Sequence, residues 1–496
     1  MTQDAMAASD HAPGLERAFT LDAREGAWEI TDIDGEIPSF IRGCYYLNGP
    51  GRFRREPLDY RHWLDGDGLV RRLCFTGNTL QMASRFVRGT KWRDEDDAGR
   101  PLYRAFGTAF EGDRLKRGLG LESPVNVSAY LWRDHLLAFG EQGLPYELDP
   151  ETLETRAEHT FGGRLNAVSP LSAHPCFDAS SGEMFNFGIS FSPRTPSLTL
   201  YRFGADGELI WRRRHRLERP ISVHDFLLAP RHIVVYLSPH VLEIERLLDG
   251  GKSVADSLAW RPELGSSLLV FARDTGEHVA TVPVGERYCL HLIHCSEEKT
   301  VEENASEEGG RLVVDVVELE RPVYDQYMPL PELFVDAPRG GPRRIVLDTA
   351  SWTVVERRAI DFECCPDFPA VDPRLDQQTY EHFWMLGIST AGSPGRKFFD
   401  TVAHLRWSVP ESPDTWRAPR GHHLGGEPVF LGDPDDDPHD PRRGCVLVQR
   451  FDAAAERSAY LLFDAFDIAA GPRATLHLEH PEPLGFHAAW YPDAST

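Results

Sequence analysis

The sequence predicts an all-β protein, a seven-bladed β-propeller, from three observations. Short segments of alternating apolar and polar residues recur from about residue 40 to the end. Most are interrupted or bounded by Gly, Asp, Asn or Pro, as strands joined by tight turns are. The 496 residues divided by seven leave about 70 per blade with loops, whereas a sandwich rarely absorbs so many strands. No clean repeated signature accompanies the pattern, so strand number and length carry this reading.

Taken in order, the strand pairs are "YLWRDHLLAFG", "LTLYRFGADGELIWRRRHRL", "HIVVYLS", "SLLVFARDTGEHVATVPV", "RLVVDVVELE", "RRIVLDTASWTVVERRAI" and "CVLVQRFDAAAERSAYLLFDA". Helix is a minority, with "PHVLEIERLLDGG" the best candidate. The charge run "GDPDDDPHDPRR" reads as a solvated loop tip between two strands. "NGPGR", which lacks G-K-[ST], reads as a turn, and "DGDG" from Asp65 to Gly68 likewise reads as a turn rather than a Ca²⁺ loop. No low-complexity linker separates the pairs, so a single body over residues 1–496 is expected, with 1–35 as an N-terminal arm.

Composition limits the function. A formal net charge of −24 disfavours polyanionic partners, nucleic acid first among them. It leaves room for transient membrane docking through apolar loops. The first 26 residues carry no apolar leader core, and runs such as "LLVFA" are strand-length, so a cytoplasmic protein is expected. The eight cysteines (Cys44, Cys74, Cys176, Cys289, Cys295, Cys364, Cys365, Cys445) include no C-x-x-C pair. That pattern suits buried thiols in a reducing compartment better than disulfides or a thiolate zinc site.

Of the 20 histidines, most, such as His135, His232, His278 and His382, are expected to be ordinary strand or loop residues. Four stand in different company: His174 in "LSAHPCFD", His224 in "ISVHDFLLAP", His291 in "YCLHLIHCSEE" and His487 in "PLGFHAAW". Each sits at an apolar strand edge or turn. Their separations of 50, 67 and 196 residues are too wide for a zinc finger or a helical pair and suit ligands drawn from different blades. His487 lies nine residues before the end of the sequence, where chains usually fray. In a propeller the last strand closes the ring beside the first blade, which gives that histidine a reason to be fixed.

Nine phrases in order resemble the carotenoid cleavage oxygenases, a family that includes the retinal pigment epithelium isomerohydrolase and the stilbene-cleaving dioxygenases. They are "GEIPSFIRGCYYLNGPGRF", "RHWLDGDGLVRRLCF", "EQGLPYELDPETLET", "SAHPCFD", "VHDF", "RPELGSSLLVFARD", "FPAVDPR", "EPVF" and "GFHAAW". The resemblance implies a seven-bladed propeller with a helical and loop cap over one face. It also implies an axial Fe(II) held by His174, His224, His291 and His487, leaving two adjacent coordination positions for O2 and substrate. The implied reaction is cleavage of one C=C bond by O2 into two carbonyl products, with no catalytic residue required beyond the metal centre.

The resemblance further implies carboxylates that orient the ligand rings. Glu141 and Glu427 match two such positions. The third is Asp367, where the family usually has Glu, and its shorter side chain puts a direct bond in question. In "LHLIHCSE" position matching selects His291 and leaves His294 as the alternative. Val127 stands where many members have a Thr that crowds an open iron site, and an inner-strand core residue is the plainer reading. Phenolic stilbene cleavers usually have Lys directly before the first carboxylate, where this chain has Gly140, read as leaving room and an apolar wall. A carotenoid or apocarotenoid substrate is therefore expected ahead of a stilbene or phenylpropanoid. Two further alternatives are a non-oxygenative isomerase and a non-catalytic propeller.

Overall fold

The computed structural model describes residues 10–493 except 78, 117–119, 249–250, 300–309, 324–329 and 331. Seven antiparallel sheets of four or five strands follow one another along the chain and form the blades, numbered I to VII from Gly43 onward. Blades II to VI open with the strands Ser128–Trp132, Cys176–Asp178, Leu227–Leu228, Tyr288–Lys299 and Cys365–Val371, and blade VII with His422–Gly432. From blade IV through blade VII to blades I and II, the innermost strands of neighbouring blades touch one another. Later strands of each blade lie outward. Burial follows position: the second strand of blade V, Gly310–Leu319, is buried almost throughout, whereas the outer strand His278–Gly285 of blade IV alternates buried and exposed.

Both ends of the chain complete the ring. Ala488–Pro492 pairs with Gly43–Arg52 and becomes the innermost strand of blade I, while Gly26–Glu29 adds to that blade's outer edge. Ile33–Gly35 caps blade VII by pairing with Pro472–His477. Tyr45, Leu47, Leu447, Tyr460 and Leu476 pack into one buried cluster across this seam.

The predicted hairpins appear as read, for example Ser128–Trp132 with His135–Phe139 and Gly444–Asp452 with Arg457–Asp464. The charge run connects His422–Gly432 to Gly444–Asp452, its turn tied by Asp436 Oδ2, which accepts from the N–H groups of Arg442 and Arg443 at 2.6 Å each. Three expectations need correction. The helix in "PHVLEIERLLDGG" is only Ile244–Leu248, because His240–Leu242 is drawn into a ribbon with Leu258–Trp260; Asp249 and Gly250 lie outside the described residues. "NGPGR" is not a turn but the end of the strand Gly43–Arg52. Cys44 and Cys74 are joined as a disulfide, since neighbouring strands place them directly opposite one another, a relation invisible to a search for local Cys pairs. The reading of all cysteines as thiols, and its support for a reducing compartment, is corrected to that extent; the other six are free and mostly buried.

A cap covers one face of the ring. It contains the helices Thr90–Ala98, Ile244–Leu248 and Val254–Ser257, whose Leu247 and Val254 pack with Leu242, Phe106, Leu121 and Phe191. Its first helix is pinned to blade I through Lys91, which donates to Asp67 Oδ1 at 3.0 Å, Glu95 Oε2 at 2.8 Å and Tyr60 Oη at 3.0 Å. Among the described residues no helix is long and apolar enough to cross a membrane.

Candidate metal centre

The axis of the ring gathers His174, His224, His291 and His487, whose nearest ring nitrogens all lie within 4.8 Å of one another. His174 lies two residues before the opening strand of blade III, His224 three before that of blade IV and His487 one before the innermost strand of blade I, while His291 lies near the start of the blade V strand. His174 Nε2 is 2.9 Å from His224 Nε2, which is 3.0 Å from His291 Nε2. Two metal–nitrogen bonds of about 2.1 Å meeting at a right angle put their nitrogens about 3.0 Å apart, and a tetrahedral angle would put them about 3.4 Å apart. The spacing therefore fits neighbouring positions of an octahedral ion, and the cluster is compatible with a metal site.

The opposite ring nitrogens face carboxylates, which is why the Nε2 atoms point inward. His224 Nδ1 lies 2.9 Å from Glu141 of blade II, His291 Nδ1 lies 2.5 Å from Asp367 of blade VI, and His487 Nδ1 is 3.4 Å from Glu427 of blade VII. Each of the seven blades thus supplies one of these residues. Asp367, despite its shorter side chain, reaches its histidine directly. His294 points elsewhere: its Nε2 sits 2.7 Å from the Gln378 carbonyl and its ring lies edge-on to Tyr380.

Burial lowers the proton affinity of three of the four imidazoles. His174 lies well below the ordinary histidine value, through desolvation and the three neighbouring rings. Desolvation also lowers His291 and His487, opposed by Asp367 and Glu427 respectively. His224 is desolvated too, but the Glu141 carboxylate outweighs burial and the net shift is upward. Neutral imidazole is the form that ligates a metal.

Two positioning residues lie inside the recognised phrases yet were not singled out by sequence. Asn48 of "NGPGR" is fully buried; its side-chain amide donates to the Val125 carbonyl at 3.0 Å and the Ser128 carbonyl at 2.9 Å. Its backbone N–H donates to the His487 carbonyl at 3.0 Å and its carbonyl accepts from Phe486 N–H at 2.8 Å. Gly49 must be glycine here, since a Cβ would stand 2.5 Å from the Gly485 Cα. Asp225 of "VHDF" accepts from Phe226 N–H at 2.7 Å and Leu292 N–H at 2.8 Å, bridging the His224 and His291 segments, and faces His174 Nδ1 at 3.7 Å. Burial raises its carboxyl to about 6. For Asp225 the signal was its place directly after His224; Asn48 carries none, since its amide's partners lie 77 and 80 residues away.

A cavity of ≈ 420 Å³ runs from the histidines under the cap. Val127, Leu171, Phe187, Phe191, Leu258 and Phe368 form apolar parts of its wall, and His224, His291 and His487 reach its inner end. Val127 is buried, lines this cavity and accepts the His487 N–H on its carbonyl at 3.2 Å. Val125 and Phe368 hold left-handed backbone, φ 54° and 53°, a strained conformation for such side chains. Gly140 is corrected: it does not leave room, because a Cβ there would stand 1.9 Å from Ser123 Oγ and 3.1 Å from Val125 N.

Residues 21–492 match the family model described as retinal pigment epithelial membrane protein. The chain is 29% identical to apocarotenoid-15,15'-oxygenase of Synechocystis sp., over 96% of this chain and 95% of that protein. It is 26% identical to isoeugenol monooxygenase of Pseudomonas nitroreducens (93% and 94% covered) and 24% identical to resveratrol cleavage oxygenase 1 of Chaetomium globosum (94% and 85% covered). A solved structure of a mutant Synechocystis apocarotenoid oxygenase superimposes with a TM-score of 0.83 at 25% identity, covering 97% of this chain and 100% of that one.

Proposed function

The chain belongs to the retinal pigment epithelial membrane protein family, and from that premise we propose that it is an Fe(II)-dependent dioxygenase cleaving one C=C bond of a carotenoid or apocarotenoid with O2 into two carbonyl products. The observation that carries this reading is the convergence of four mostly neutral histidines, with 2.9–3.0 Å between neighbouring nitrogens, on the inner end of a largely apolar cavity. The proposed ligands are His174, His224, His291 and His487. Four imidazoles would supply donors without charge, and an ion that takes six ligands would keep room for O2 and substrate. When bound, the ion would supply the redox chemistry that lets O2 react with an alkene.

The remaining work falls to the protein. Glu141, Asp367 and Glu427 hold the Nδ1 protons of their histidines and so fix the ring orientations, while adding negative charge around a dication. The cavity wall holds an extended apolar chain by burying its hydrocarbon, at about 25 cal/mol per Å², and excludes water from the reacting bond. Val127, on the cavity wall and bonded through its carbonyl to the His487 N–H, narrows the space beside the proposed ion. No acid or base other than these ligand-orienting groups is needed for a cleavage whose products retain both oxygen atoms.

The relatives named for isoeugenol and resveratrol sustain a second reading, a stilbene or phenylpropanoid substrate. One experiment decides: the protein is loaded with iron anaerobically, exposed to O2 with carotenoids, apocarotenals, hydroxystilbenes and phenylpropenes, and its products identified by mass spectrometry. Aldehyde or ketone fragments from a polyene carry the proposal. Cleavage of hydroxystilbenes alone replaces the substrate, an isomer without fragments replaces the reaction, and no iron uptake removes both.

A further inference from the structure

The cavity wall is not uniformly apolar. Lys116 and Glu122, both from the cap, line it together with Gln142, beside Leu121, Pro124 and Phe106. Lys116 Nζ lies 3.2 Å from Glu122 Oε1, with side chains only 19% and 11% exposed. The Lys116 N–H donates to the Gly120 carbonyl at 2.9 Å. Lys116 Nζ is also 3.9 Å from where a Cβ on Gly143 would stand, and Gln142 Oε1 is 3.8 Å from the corresponding point on Gly120. The Lys116–Glu122 pair therefore sits on the cavity wall beside Gly143, two residues after Glu141, with Gln142 lining the same cavity.

An ion pair withdrawn from water toward hydrocarbon loses hydration that its own attraction only partly restores. A wall serving an unfunctionalised polyene alone gains nothing from such a pair. An ammonium group has three N–H donors and a carboxylate about four acceptor positions, so one mutual bond leaves each with capacity to spare. A substrate hydroxyl uses both: its oxygen accepts from Lys116 Nζ and its proton goes to Glu122. An aldehyde uses only the lysine, and an unsubstituted ring uses neither.

We propose that Lys116 and Glu122 form a subsite for a hydroxyl group on one end of the conjugated substrate, and that this contact sets how far the chain advances toward the histidines. The inference rests on the proposed cleavage of a conjugated alkene for its consequence, which is the choice of double bond, but the binding it describes can be measured without turnover.

The test is an anaerobic titration of the iron-loaded protein, followed by tryptophan fluorescence, with an apocarotenal bearing an unsubstituted ring and with its ring-hydroxylated counterpart. The unmodified protein is expected to bind the hydroxylated compound at least about tenfold more tightly, the range of a charge-assisted hydrogen bond. Lys116→Met should bring the two Kd values within about twofold of each other, and Lys116→Arg should keep most of the preference. Admitting O2 then shows whether the cleaved bond becomes mixed in Lys116→Met. Equal binding of the two compounds by the unmodified protein overturns the subsite, as does a preference that survives Lys116→Met. A binding preference without any cleavage leaves the subsite standing and defeats the proposed reaction instead.

Discussion

Asp367 Oδ1 stands 2.5 Å from His291 Nδ1 although the side chain is one methylene shorter than a glutamate. The backbone makes up the difference. The register of the blade VI opening strand shifts between Asp367 and Ala370, Phe368 takes a left-handed φ of 53°, and the Phe368 N–H donates back to Asp367 Oδ1 at 2.9 Å. Removing the carboxylate should therefore loosen both the ring and the strand. Asp367→Ala is expected to weaken iron binding about 10- to 100-fold, read by competition with a chelator. Asp367→Glu should also weaken it, because the strand is already displaced to suit Asp. Unchanged affinity in Asp367→Ala would remove this residue from the site.

The ligand assignment predicts about one iron per chain in the reconstituted protein and its loss from His174→Ala, His224→Ala or His487→Ala. The third position offers a sharper comparison, since His291 and His294 are three residues apart on one strand. His291→Ala should abolish iron binding. His294→Ala should leave most of it, because that ring is committed to the Gln378 carbonyl on the side of Tyr380. Metal analysis of the five folded variants checks both; full occupancy in the first three rejects the assignment, and the reverse order for the last pair moves the ligand.

These two cases show what the sequence carried. Strand pairs and ligand phrases were legible because alternation and local wording are properties of contiguous residues: "YLWRDHLLAFG" is one hairpin, and "GFHAAW" leads into one strand. The cross-strand disulfide between Cys44 and Cys74, the Asn48 bridge between Ser128 and His487, and the filled space behind Gly140 were not legible. Each depends on which strands become neighbours and in what register, information that appears only when the ring closes. The direct Asp367 contact was missed for a related reason, as side-chain length was compared without the strand distortion that moves its Cα.

Two buried histidines away from the axis predict an acid-sensitive fold. Burial, the neighbouring His382 and Arg406 lower His404 to about 3, and burial lowers His423 to about 4 despite a bond to the Pro13 carbonyl. Their unfolded values are near 6.5. Between that value and the folded ones the unfolded chain binds more protons, so stability is complete above about pH 7 and falls as pH drops below 6.5. Each group contributes a loss of about 1.4 kcal/mol between pH 7.5 and 5.5, or roughly one degree in apparent Tm for a chain of this size. His404→Leu should shrink the difference between the two melting temperatures by that amount. An unchanged difference would show that His404 is protonated in the folded protein.

The last prediction concerns Gly140. A side chain at this position would project not into the cavity but into Ser123 and Val125, with Ser123 Oγ at 1.9 Å, Val125 N at 3.1 Å and Val125 Cα at 3.2 Å from the added Cβ. Ser123 Oγ already accepts from Val125 N–H at 3.0 Å, and Val125 holds φ 54° beside Asn126 and Val127 on the cavity wall. Pushing this segment aside disturbs the wall and, through the Val127 carbonyl, the N–H of His487. Gly140→Ala is expected to cost about 1–3 kcal/mol, the usual range for overpacking, and to lower polyene turnover. Adding Ser123→Ala removes the nearest obstructing atom but leaves the Val125 backbone, so the double variant should recover part of the lost Tm, a non-additive outcome that identifies the contact. Gly140→Lys should lower polyene turnover further without creating hydroxystilbene cleavage, because its Cβ already meets Ser123 Oγ and the Val125 backbone. A Gly140→Lys protein that melts like the unmodified one and cleaves hydroxystilbenes efficiently would show that the 140 side chain does face the substrate.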